Sequence, residues 1–149
     1  MPKDETPARN WRNYRGIPRR AGANANKTLA RKAAEQRGRR AEFFAELLLR
    51  LKWYRIIGRR VRSRAGEIDL IALAPSGIIC FIEVKARKDE GSAATSLGHR
   101  QLGRIANAAA LFLAQRPELG AKGIRYDVIL HAPGRIPKHV RDAWRPQAF

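Results

Sequence analysis

The chain has 149 residues, enough for one domain with a single core and a tail. Its 31 Lys+Arg against 13 Asp+Glu leave a formal charge of +18, a surplus that points first to a polyanion as partner, since each neutralised phosphate releases counterions. The one cysteine, Cys80, excludes an intramolecular disulfide and a Cys-rich zinc site; no apolar run approaches the ~20 residues of a membrane span. With no apolar signal segment at the start, the expected location is the cytoplasm.

Residues 1–35 read as a basic tail, rich in Pro, Gly, Asn and Arg, in which Trp11 and Tyr14 are interleaved with arginines. Such an arm either lies along a phosphate backbone or simply keeps the chain in solution. A domain over residues 36–149 follows. Its first helix starts near Leu29–Arg37 and runs to Leu51, with Phe43, Phe44, Leu47, Leu48 and Leu51 at helical spacing as its core face. Lys52–Val61 reads as a strand bent at Gly58, and Glu67–Leu73 as a second strand. Ala74-Pro75-Ser76-Gly77 forms a turn, and Ile78–Ala86, apolar on both faces over Ile78–Ile82, is an interior strand. A loop of small and polar residues, Lys88–Leu97, leads to a second helix at Gly98–Gln115, and Arg125–His131 is a fourth strand. Residues 132–149 are expected to be irregular and anchored by Trp144. The result is an α/β domain of order α-β-β-β-α-β.

Two of these strands carry acids inside apolar runs, Gly66-Glu67-Ile68-Asp69-Leu70-Ile71 and Cys80-Phe81-Ile82-Glu83-Val84-Lys85. Alternation puts Glu67 with Asp69, and Glu83 with Lys85, on one face of each strand. A hairpin between the strands lets Asp69 and Glu83 converge. Two buried carboxylates repel, and a divalent cation offsets both the repulsion and the desolvation. Mg²⁺ suits such a pair, and a lysine two residues on can orient water or steady phosphate charge. The structural alternative is an ordinary ion pair between one of the acids and Lys85. Arg59, Arg60, Arg62 and Arg64 either grip phosphates beside such a site or form a solvated loop, and Arg87 has the same two readings. His99, His131 and His139 lack metal-ligand spacing, and no phosphate-cradling glycine motif is present, which disfavours a nucleotide hydrolase.

From Gly38 to about Ala143 the chain resembles the YraN family of bacterial proteins, which are similar to archaeal Holliday-junction resolvases and have a restriction-endonuclease-like PD-(D/E)xK fold. The resemblance rests on Gly38-Arg39-Arg40-Ala41-Glu42, Gly66–Ile71, Phe81–Arg87, Arg104-Ile105 and Arg125–Val128. It implies a mixed sheet flanked by helices. It also implies that Asp69 and Glu83 hold Mg²⁺ or Mn²⁺, that Lys85 is the motif lysine, and that Glu42 and Gln101 support catalysis. The family's second helix opens with a Lys-Gln pair, whose Lys position is here Gln101 preceded by Arg100, so the charge sits one residue earlier. The expected function is a metal-dependent endonuclease acting on DNA, with branched DNA and a homodimer suggested by the resolvase similarity. The alternative is a nucleic-acid-binding module that keeps the fold without hydrolysis.

Overall fold

The computed structural model describes residues 20–86 and 98–146. The aromatic arm around Trp11 and Tyr14, Arg87, and the loop expected at Lys88–Leu97 lie outside these residues. By its internal contacts the chain divides after Ala33. Helix α1, Arg20–Leu51, crosses that boundary and begins earlier than the sequence suggested. Pro18 is the last helix-breaking proline, and Ala21, Ala23, Ala25, Lys27, Leu29 and Ala30 all favour the helix.

The second unit, Ala34–Phe149, contains the remaining strands: β1 Arg55–Ser63, β2 Gly66–Leu73, β3 Ile79–Ala86, β4 Ile124–His131 and β5 Lys138–Val140, with α2 at His99–Gln115. They form one sheet in the order β1-β2-β3-β4-β5. All neighbours are antiparallel except β3 and β4, which are parallel. A parallel pair needs a long crossover, and α2 supplies it. In the β2–β3 turn the Gly77 N–H donates to the Ala74 carbonyl at 2.8 Å, and Gly77 takes the positive φ of 87° that a Cβ would disfavour. The bend expected at Gly58 is a register shift between Ile56 and Gly58, where a side chain at 58 would collide with Val61. Strand β5 falls in the segment expected to be irregular; three residues flanked by Pro137 and Asp142 give too short a pattern to read.

Two apolar layers sandwich the sheet. Ala45 and Leu49 of α1 pack with Tyr54, Leu70, Ala72, Cys80, Ile82 and Ile129 on one face. Ile105, Ala108 and Ala109 of α2 pack with Ile71, Ile79 and Phe81 on the other, where Phe112 and Trp144 join them. The central strand β3 is thus buried on both sides, as its continuous apolar run suggested. The core face of α1 differs from the expected one. Ala41, Ala45 and Leu49 are buried, whereas Phe43, Phe44, Leu47 and Leu51 are exposed. The helix thus meets the core through Ala45 and Leu49, and its larger side chains on the other positions are left outside. No helix among the described residues is long and apolar enough to cross a membrane.

Candidate active site

The β2–β3 ladder runs from Leu73↔Ile79 to Leu70↔Ile82 and stops there. One step further, the same register sets Asp69 opposite Glu83. In place of a backbone rung, the Asp69 carboxylate accepts the Val84 N–H at 2.8 Å. Strict alternation also fails at this point: Ile68 packs on the α2 side and Leu70 on the α1 side, although two residues apart. Across the sheet, Arg60 has the left-handed φ of 46° and lies between the pairs Arg59↔Leu70 and Val61↔Ile68. The left-handed residue of β1 therefore stands opposite Asp69, whose carboxylate takes the Val84 N–H.

Glu83 is only 6% exposed. The Lys85 ammonium lies 2.9 Å from its Oε1, and the Gln101 amide N–H donates to the same oxygen at 2.6 Å. Lys85 in turn donates to the Gln101 carbonyl oxygen at 3.3 Å. The α2 residue thus closes a triangle with the two β3 side chains. Burial raises the Glu83 carboxyl to about 7, and the neighbouring Asp69 charge pushes the same way against Lys85. Burial also raises Asp69, opposed by the Val84 N–H and Lys85.

Of the α1 acids Glu35, Glu42 and Glu46, Glu42 is the one beside this pair. Burial raises its carboxyl, Arg60 opposes the shift, and Asp69 and Glu67 add to it. Glu46 instead binds Arg59 in two hydrogen bonds of 2.7 and 2.6 Å and Arg50 in a third, chiefly through Arg59 falling to about 2. Arg60 Nε stands 3.5 Å from Glu42 and 3.4 Å from Glu67, and Arg62 Nε stands 2.9 Å from Glu67. Three of the arginines read as phosphate contacts are therefore held by carboxylates, a role for Glu46 and Glu67 that isolated motifs do not reveal. Arg64 and Arg100 are exposed, at the β1–β2 turn and the start of α2. Gly66 lets that turn approach α2, for a Cβ there would meet the Arg104 side chain at 3.2 Å.

A second polar centre lies on the α1 side of β4. The side chain of Asp127 is fully buried; it binds Arg125 through both oxygens at 2.8 Å, His139 Nε2 at 2.8 Å and the Asp142 N–H at 2.9 Å. Arg125 also donates to the Tyr54 hydroxyl at 2.7 Å. Despite burial, the hydrogen bonds from His139 and Arg125 hold the Asp127 carboxyl down at about 2. The network ties β4 and β5 to the end of α1. Only the Arg-x-Asp spacing in a strand hinted at it. His131 is buried and stacks on Phe44 at 4.9 Å, and burial lifts the Cys80 thiol to about 12, which makes it inert packing.

The model of the uncharacterised protein family UPF0102 matches residues 41–130, a span that holds Glu42, Asp69, Glu83, Lys85 and Gln101. The chain belongs to the UPF0102 family. A UPF0102 protein of Maricaulis maris (strain MCS10) is 48% identical over 119 residues, covering 80% of this chain and 93% of its own length. One from Paramagnetospirillum magneticum (strain ATCC 700264 / AMB-1) is 47% identical over 120 residues, 78% of this chain and 92% of its own. One from Agrobacterium fabrum (strain C58 / ATCC 33970) is 46% identical over 114 residues, 76% and 93%.

Proposed function

We propose that this UPF0102 chain is a metal-dependent nuclease with a restriction-endonuclease-like PD-(D/E)xK core, cleaving phosphodiester bonds in DNA in the cytoplasm, with branched or structured DNA as its preferred form. The observation that carries the reading is the pairing of Asp69 and Glu83, set opposite each other by the β2–β3 register, with Asp69 held by the Val84 N–H and with Lys85 and Gln101 converging on one oxygen of Glu83. Burial raises both carboxyls and the Asp69 charge raises Glu83 further, penalties that a bound cation offsets. Among the described residues no three His, Cys, Asp or Glu side chains form a ready metal cage. Mg²⁺ and Mn²⁺ do not require one: two hard oxygen ligands, with waters and phosphate oxygens completing the shell, suit them. When bound, the ion would supply a polarised phosphate and a more acidic water.

The chain's own residues supply the remainder. Asp69 is fixed by the Val84 N–H and Glu83 by Gln101, so neither carboxylate has to be ordered when substrate arrives. Lys85 Nζ lies within reach of Glu83 and Gln101, and its role is to orient an attacking water and steady charge developing on phosphoryl oxygens. Glu42 and Arg60 close the α1 side, and phosphates reach Arg60 and Arg62 only by competing with Glu42 and Glu67. Exposed Arg64 and Arg100 lie at the same end of the sheet and offer the first phosphate contacts.

The test compares wild type with Glu83→Ala/Lys85→Ala on labelled duplex, single-stranded, flap and four-way-junction DNA, in Mn²⁺ or in EDTA. Cutting that needs the metal and falls at least about 100-fold in the variant is expected. Cutting that survives the substitutions, or salt-sensitive binding with no cutting in any metal, overturns it; the latter outcome leaves a binding module.

A further inference from the structure

The exposed large side chains of α1 are not scattered. Phe44, Leu47 and Leu51 follow one another at intervals of three and four residues, and the same spacing carried backwards reaches Arg40 and Arg37. These five positions form one stripe along the helix, basic in its first half and apolar in its second. The stripe is one wall of an apolar groove of about 640 Å³. The opposite wall is the segment after β4, where Ile136 is 86% exposed between Pro133 and Pro137. Leu51 is 71% exposed and Leu47 44%. An apolar patch rimmed by like charges on a +18 chain is what an interaction surface presents.

We propose that this groove docks an acidic amphipathic helix of a partner protein, with carboxylates against Arg37 and Arg40 and aliphatic anchors against Phe44, Leu47 and Leu51. The stripe spans 15 residues, 14 helical steps and so about 21 Å of helix, the length over which a partner read at three- and four-residue intervals makes four or five contacts. Charge complementarity selects the occupant. A second copy using the same stripe in parallel sets arginine on arginine, and in antiparallel sets arginine on leucine; neither supplies a carboxylate. A nucleic acid satisfies the arginines but leaves the aliphatic half of the floor without a matching surface. The proposal stands apart from the nuclease reading, because the stripe contains none of Asp69, Glu83, Lys85 or Gln101.

The probe is a labelled 18-residue helical peptide with glutamates on one half of its stripe and leucines on the other, made in both orders and titrated against the whole chain by fluorescence anisotropy. One order is expected to bind saturably and at least ten-fold more tightly than a scrambled peptide of the same composition. Leu47→Ser/Ile136→Ser and, separately, Arg37→Glu/Arg40→Glu are expected to weaken binding ten-fold or more, and a peptide with lysine in place of glutamate to recover it on the second variant. All four substitutions are at the surface, and circular dichroism reports that the variants stay folded. Equal binding of ordered and scrambled peptides overturns the proposal. So does equal displacement by a single-stranded oligonucleotide, or a dimer in sedimentation that Leu47→Ser/Ile136→Ser dissociates.

Discussion

Glu83 and Asp127 are both buried acids, yet their surroundings push them in opposite directions. Burial, with the Asp69 carboxyl beside it, raises Glu83 from 4.5 to about 7, so the folded protein holds this proton more tightly than the unfolded chain does. Its contribution to stability is complete below about pH 4.5 and is lost as the pH rises through 7. Denaturant midpoints measured from pH 4.5 to 8 are therefore expected to fall for wild type and to flatten in Glu83→Gln. Asp127, lowered from 3.8 to about 2 by its partners, works with the other sign: its contribution is present above pH 3.8 and is lost as the pH falls through 2. Asp127→Ala strands the Arg125 charge in the interior, and urea unfolding is expected to show a loss of about 3–5 kcal/mol. Acids inside apolar runs are legible in a sequence because such residues need a reason to be buried, and this is how Asp69 and Glu83 stood out. The contact that holds Glu83, from Gln101 on α2, was reached through the family resemblance. The left-handed backbone at Arg60, opposite Asp69, was not legible, because nothing in Arg-Arg-Val announces a positive φ.

Among the elements, periodicity located the two long helices and the first four strands, since each carries five or more residues of one pattern. It misassigned the buried face of α1. Phe43, Leu47 and Leu51 outrank Ala41 and Ala45 in hydrophobicity, but which stripe of the helix faces the sheet is set by tertiary packing, and here it is the one with Ala41, Ala45 and Leu49. The end of α1 carries a prediction of its own. The Tyr54 N–H donates to the Leu49 carbonyl at 2.9 Å and the Trp53 N–H to Arg50 at 3.0 Å, the bonding of a cap that usually places glycine at the left-handed position. Here Trp53 occupies it with φ 64°, and its side chain is 84% exposed. Trp53→Gly removes little packing and relieves the backbone, so a gain of roughly 0.5–1 kcal/mol in urea unfolding is expected. A loss would show that the indole contributes more than its exposure implies.

For the molecule as a whole, charge and fold divide the work. The +18 surplus is a property of composition and was plain from the first count. Its arrangement was not, because ion pairs join residues far apart in sequence: Glu46 with Arg59, and Glu42 and Glu67 with Arg60. With those arginines engaged, fewer cations are available to phosphate than the total suggests. DNA affinity is expected to fall linearly on a log–log plot against salt, with Arg64→Ala and Arg100→Ala each lowering the slope by about one; unchanged slopes would remove these two from the contact surface. The claim beneath the whole reading is that Asp69 and Glu83 together hold a divalent cation. Isothermal titration with Mn²⁺ at pH 7, repeated in buffers of different ionisation enthalpy, tests it most directly. One site per chain is expected, with net proton release as the raised Glu83 carboxyl gives up its proton, and with binding abolished in Asp69→Asn/Glu83→Gln. Absence of binding to the wild type, or binding that the double variant retains, would contradict it.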